Sequence, residues 1–197
     1  MKRVVSIWLL AILILPAAPF SAESEPPARM KPALLVIDVQ NAYLPGMSEE
    51  DKKEGLEMIN VYIRMFRLFG HPVIRVYHVE PGVGPERGTE AFEFPPTILV
   101  KPDDPLVVKN YGNAFKKTDL DTILKQKGVN TVFLCGLSSI GCVLATYHGA
   151  MDLDYQTFML KSALIGPRSD LTRAVQEICD TIDYPALLLL LQQVAAK

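Results

Sequence analysis

From residue 32 onward the apolar positions along the chain alternate between two periods. Short, mostly apolar runs occur at ALLVIDVQ (33–40), PVIRVYH (72–78), LVVK (106–109), TVFLC (131–135) and QTFML (156–160). Each is too short for a stable helix and rich in aliphatic residues, which predicts buried strands. Between them the period lengthens. Ser48 and Asp51 stand at capping-box spacing ahead of Leu56, Ile59, Ile63 and Phe66, which share one helical face, and Gly70 closes the segment. Further helices are expected from Thr118 to Lys127 with Gly128 as the stop, from near Gly141 through GCVLATYHGAMDLD, and from Ser169, acting as cap, to Ile182. ALLLLL (186–191) predicts a last buried strand. Residues 79–105 fit neither period. Their prolines and glycines forbid a regular element over most of the stretch, and a loop this long in a compact domain usually carries function.

Strands separated by helices of this length imply parallel pairing through right-handed crossovers. The expected fold class is therefore α/β: one doubly wound domain, with a mostly parallel central sheet of about six strands and helices on both faces. Residues 32–197 form this domain, after a segment at 1–22 of different character and a polar, proline-rich linker at 23–31.

Composition adds constraints. With 49% apolar and 21% charged residues, 197 residues suffice for one well-buried core. The formal charge of −2 comes without basic clusters, so there is no electrostatic footprint for nucleic acid or an anionic membrane surface. The expected partner is a small molecule or another protein. Residues 1–22 begin Met-Lys-Arg and continue into VVSIWLLAILILPAAPF, a basic start followed by an apolar run shorter than a comfortable membrane span. This pattern predicts a signal peptide and export to the periplasm or the exterior, with an uncleaved N-terminal anchor as the alternative. The cleavage signal is imperfect, because Phe20 or Pro16 falls where a small residue is preferred. Export makes the odd cysteine count matter: of Cys135, Cys142 and Cys179, at least one is unpaired in a monomer.

In doubly wound sheets the ligand site lies beyond the carboxyl ends of the strands. Asp38, Lys109 and Cys142 all fall at that edge. Cys142 would open a helix, where unpaired N–H groups and a nearby lysine could lower a thiol pKa from about 8.5 into the reactive range. The N–H groups of Gly141 and Cys142 could then hold an oxyanion. Equally, Cys142 could be a small core residue, Asp38 a cap or half of an ion pair, and Lys109 a solvated lysine at a strand end. A serine-hydrolase elbow is excluded, since Ile140 stands where GLSSIG would need its second glycine. No pair among His71, His78 and His148 has metal-ligand spacing, and C-x-x-C is absent, so neither a metal nor another cofactor is expected.

The stretches ALLVIDVQNAYL and VVKNYGNAFKKTDLDTILKQKGVNTVFLCGLSSIGCVLATYHGAMDLDYQTFML, in this order and separation, resemble the isochorismatase-like cysteine hydrolase superfamily over about residues 32–165. GTEAFEFPP (88–96) resembles the family's glycine-threonine segment ahead of its lysine strand. The resemblance implies a catalytic set of Asp38, Lys109 and Cys142, and a loop of Leu137, Ser138, Ser139 and Gly141 with a cis peptide joining Leu137 to Ser138. Gln40, Tyr43, His78 and Phe115 are implied substrate contacts, and assembly into a homo-oligomer is also implied. The mechanism it implies has Asp38 taking the thiol proton, Lys109 stabilising anions and Cys142 attacking a carbonyl, so that ammonia or an amine leaves and water frees the acyl group. A small non-peptide amide or carbamoyl compound is the implied substrate class. The alternatives are hydrolysis of an enol ether such as isochorismate, and a non-catalytic binding protein that retains the fold. Several positions depart from the family pattern. YHVEPGVGPERG has one histidine where nicotinamidases carry an Asp-x-His…His metal cluster, Ser139 replaces a usual threonine, KSAL (161–164) stands for an Asp-Ala pair, and Asp154 for a glycine.

Overall fold

The computed structural model describes residues 29–195. The segment read as a signal peptide (1–22) lies outside the described residues, as does most of the linker after it. Six strands form one sheet: β1 (Pro32–Ile37), β2 (Val73–His78), β3 (Leu106–Lys109), β4 (Thr131–Leu137), β5 (Gln156–Ile165) and β6 (Thr181–Ile182). Their spatial order is β3-β2-β1-β4-β5-β6 and every pairing is parallel, as expected. The chain therefore builds outward from β1 in one direction, returns, and builds outward from β4 in the other. The point where the order reverses lies between β1 and β4.

Alternation along β1 explains the layering. Leu34 and Val36 join a core with Ile59, Ile63 and Phe66 of α1 (Glu49–Leu68), whereas Ala33, Leu35 and Ile37 pack on the other face. There they meet Leu120 and Leu124 of α2 (Leu120–Gln126), Tyr147 and Ala150 of α3 (Leu144–Met151), and Val175 of α4 (Ser169–Ile178). β1 and β4 are buried at every position, the mark of central strands in a sheet covered on both sides.

The carboxyl-terminal prediction needs correction. The leucine run at 186–191 is not a strand: it lies within a helix, α5 (Tyr184–Ala195). Leu187 and Leu191, four residues apart, are the positions it buries, while Leu189 is exposed. The helix predicted from Ser169 to Ile182 ends at Ile178, and Thr181–Ile182 supply the sixth strand by pairing with Met159 and Leu160. Ser169 is the first helical residue instead of the cap, and its hydroxyl bonds Ser48 at 2.8 Å. β5 also runs past its predicted end at residue 160, because it bulges against β4 between the Leu134 and Gly136 pairings.

The 79–105 loop is held by its own apolar side chains. Phe94 stacks on Tyr77 with ring centroids 4.2 Å apart, Phe92 lies 4.9 Å from the same ring, and Ile98 is buried. Arg67 on α1 donates to Asp104 at 2.6 Å. The loop is thus pinned to the core through Phe92, Phe94 and Ile98 while most of its length is exposed, and no helix among the described residues is long and apolar enough to cross a membrane.

Candidate active site

The sheet brings Asp38, Lys109 and Cys142 together at its carboxyl edge. Asp38 follows β1 directly, its φ of 52° turning the chain out of the strand. Lys109 ends β3, in register with His78 at the end of β2. Cys142 follows β4, in a wide turn of π-helical type (Ser139–Val143) ahead of α3. Asp38 and Lys109 are almost fully buried, and Lys109 Nζ lies 2.6 Å from Asp38 Oδ2. Asp38 Oδ1 has no hydrogen-bond partner among the described residues. The Cys142 sulfur lies within 4.8 Å of both an Asp38 oxygen and a His78 ring nitrogen.

A glycine lets the strand ends come this close. Gly136, at φ 111°, lets β4 press against β1; a Cβ there would sit 2.1 Å from the Ile37 carbonyl oxygen. The peptide between Leu137 and Ser138 is cis, as the resemblance implied. The loop is then anchored from below. The buried Ser139 hydroxyl bonds Thr172 Oγ1 of α4 at 2.9 Å, and Thr172 donates to Asp51 Oδ2 of α1 at 2.6 Å. Asp51 was legible only as a partner of Ser48. Its backbone N–H does donate to Ser48 Oγ, but its carboxylate turns instead to Thr172 and to the Gly166 N–H.

Above these residues lies a cleft of about 190 Å³, walled by Tyr43, Met47, His78 and Glu80, with Leu137 and Ser138 beside Cys142 and Asp38. Tyr43 and His78 thus take the places expected of them. Gln40 does not: it is fully buried, donates to the His78 carbonyl at 3.0 Å and accepts from the His78 N–H at 2.7 Å, so it holds the end of β2 and makes no substrate surface. Phe115 is also absent from the cleft. Asn113 Oδ1 accepts from its N–H, and the ring stacks against Tyr155 at 5.7 Å. Met47 and Glu80 were not anticipated, and of the long loop only Glu80 reaches the wall.

Electrostatics correct one expectation. Burial, reinforced by the charge of Asp38 and opposed by Lys109, pushes the Cys142 thiol up to about 11, so it is not a resting thiolate. The Lys109 ammonium is already neutralised by Asp38. The backbone is non-helical at Gly141 (φ −118°, ψ −107°), so the aligned peptide dipoles of α3 begin only beyond Cys142. The Gly141 N–H, expected to face an oxyanion, donates instead to the Ser138 carbonyl at 2.9 Å. Burial also lifts the Asp38 carboxyl above its ordinary value, against the pull of Lys109. Moving the thiol proton to Asp38 replaces one buried anion by another beside the same ammonium and adds no net charge to the cleft.

Asp38, His78 and Cys142 could in composition suit a metal. Lys109 Nζ, however, stands 2.6 Å from Asp38 and 3.1 Å from His78 Nδ1, so a second cation would meet like charge where these donors converge. Of the other histidines, His71 lies in the turn after α1 and His148 on the exposed face of α3. Cys135, Cys142 and Cys179 are all free thiols. Cys135 is fully buried in β4, and burial pushes its thiol well above the ordinary range.

A parallel sheet with a thiol, a carboxylate and an ammonium gathered where the strand order reverses defines a class of α/β hydrolytic fold. The chain belongs to the isochorismatase family, a family of hydrolases: the isochorismatase domain model matches residues 32–177. The isochorismatase family protein YddQ of Bacillus subtilis is 30% identical over 139 residues, 68% of this chain and 77% of that protein. A 62-residue stretch is 36% identical to maleamate amidohydrolase of Pseudomonas putida, covering 32% of this chain and 29% of that one. Among solved structures, the pyrazinamidase of Pyrococcus horikoshii in complex with zinc superposes with a TM-score of 0.69 over 78% of this chain and 99% of its own, at 24% identity.

Proposed function

We propose that this protein hydrolyses a C–N bond of a small non-peptide amide or carbamoyl compound through a thioester on Cys142. The observation that carries the reading is the state of Asp38: Lys109 holds Oδ2, buried Oδ1 has no partner among the described residues, and the carboxylate lies within 4.8 Å of the thiol sulfur. As Sγ attacks the carbonyl carbon, the thiol proton passes to Asp38, and the Cys142 N–H holds the developing oxyanion. Asp38 returns that proton to the leaving nitrogen as the C–N bond breaks and ammonia or an amine departs. Water then attacks the thioester, giving its proton to Asp38, and the acid leaves as the thiol is restored. Throughout, Lys109 keeps one cation beside whichever group is anionic. The amide class is further supported by the likeness to a maleamate amidohydrolase. The apolar run after Lys2 and Arg3 supports action outside the cytoplasm.

The test is ammonia release from a panel of small amides, ureas and carbamoyl compounds, with acid-quenched protein analysed by mass. An acyl adduct on Cys142, and activity reduced to the uncatalysed background in Cys142→Ala, are expected. Activity that persists in Cys142→Ala would overturn the mechanism.

A further inference from the structure

The cleft walls are unbalanced in charge, and this bears on what the thiol can meet. Among the described residues, no arginine or lysine lines the cleft. The Lys109 ammonium lies beneath it with no side-chain exposure, bonded to Asp38 Oδ2 and to His78 Nδ1. An ammonium has no lone pair, so His78 Nδ1 accepts this bond and a neutral ring carries its proton on Nε2. Nε2 lies 3.7 Å from Glu80 Oε1. Burial, and then the charge of Lys109, hold His78 below its ordinary pKa, so the ring does not offset Glu80 at neutral pH. Asp38 and Lys109 cancel. The carboxylate of Glu80, 57% exposed at the rim, is left as an unmatched negative charge. Tyr43 is placed in the same field: burial first, then Asp38 and Glu80, push its phenol up to about 12, and its hydroxyl has no hydrogen-bond partner among the described residues.

We infer that this cleft admits neutral and cationic substrates and rejects carboxylates, with Glu80 as the residue that sets the discrimination. The inference rests on Cys142 being the reacting atom of the site. A substrate carboxylate drawn to the thiol would find no cation on the described cleft walls to pair with and would share the cleft with the Glu80 carboxylate. Across a partly solvated cleft of this size, one like-charge contact is worth roughly tenfold in rate. The acid side of maleamate, or of any dicarboxylate enol ether, is the kind of group this rim turns away.

Alkylation of Cys142 reads the selectivity without requiring turnover. Iodoacetamide, iodoacetate and 2-bromoethylamine are neutral, anionic and cationic probes of similar size. Their second-order rates at Cys142, located by peptide mass at mildly alkaline pH and low salt, are each divided by the rate for 2-mercaptoethanol. Iodoacetate is expected to fall about tenfold below iodoacetamide, and 2-bromoethylamine to rise above it. Added salt should compress the spread, Glu80→Gln should remove most of it, and Glu80→Lys should invert it. Equal normalised rates for iodoacetate and iodoacetamide, or a ratio unchanged in Glu80→Gln, would overturn the inference. A panel without ammonia release beside an intact alkylation ratio would sink the amide reading alone. In an active enzyme, succinamide should exceed succinamate in kcat/KM by a similar factor.

Discussion

Replacing Lys109 by methionine isolates what the buried ion pair does. Methionine keeps most of the apolar stem, so the packing loss is small and the missing ammonium dominates. Lys109 has no side-chain exposure and lies 2.6 Å from Asp38 Oδ2, and the other Asp38 oxygen has no partner to fall back on. Breaking a pair of this kind while leaving one charge buried costs about 3–5 kcal/mol, a large share of the 5–15 kcal/mol that holds a typical domain. The loss depends on pH, and its sign follows from Asp38. Burial already raises that carboxyl above 3.8 in the folded protein, and Lys109 is the main influence pulling it down. Without the ammonium it rises further. A carboxyl raised on folding contributes its stability below the unfolded pKa and loses it as pH climbs through the folded value.

The gap between Lys109→Met and the wild type is therefore narrow where Asp38 is protonated in both. It opens by about 1.4 kcal/mol per pH unit between the two folded pKa values and is full once the pH exceeds both. Urea unfolding between about pH 5 and about pH 8 reads it directly. With a slope of about 2 kcal/mol per molar, the full loss moves the midpoint by about 2 M. The double variant Asp38→Asn, Lys109→Met removes both charges, and asparagine tolerates the left-handed backbone at φ 52°. It should regain all but about 1 kcal/mol of the lost stability. A midpoint shift independent of pH, or a double variant no more stable than Lys109→Met, would refute the reasoning.

Other consequences follow from the same geometry. If Asp38 is the base, kcat/KM falls as pH drops through its raised pKa, so the acid limb of the pH–rate profile lies above the ordinary carboxylate value of 3.8; a limb at or below that value would contradict a base held up by burial. Because the thiol stands near 11, alkylation of Cys142 by iodoacetamide should climb steadily with pH, with no plateau below about pH 9; a plateau near neutrality would mean a preformed thiolate. Thr172→Val cuts the link from Asp51 to Ser139 and should lower kcat roughly tenfold with KM little changed, whereas Thr172→Ser keeps the hydroxyl and the rate; a Thr172→Val enzyme with unaltered kcat would make the network purely structural.

What the sequence made legible, and what it hid, divides along a physical line. Strands β1 to β5 announced themselves as short aliphatic-rich runs, most plainly β1 and β4, which are buried throughout, and a carboxylate straight after such a run demanded a partner. The three chemical residues were therefore locatable at one edge before any coordinates. The leucine run near the carboxyl terminus was misread because five consecutive leucines satisfy a strand and a helix face equally. Only the exposure of Leu189 between buried Leu187 and Leu191 decides, and exposure is a property of the fold. Gln40 and Phe115 were misassigned for a related reason. Closeness in sequence to Asp38 or Lys109 says nothing about direction, and Gln40 turns to the backbone of His78, 38 residues away. The thiol acidity was misjudged because burial, which a sequence does not display, pushes the thiol up, and Lys109, already paired with Asp38, only partly opposes it. A sequence displays charges and thiols but neither their burial nor their pairing: burial keeps Cys142 protonated, while the pairing of Lys109 with Asp38 Oδ2 leaves Oδ1 without a partner among the described residues and leaves Glu80 as the charge an incoming ligand meets first.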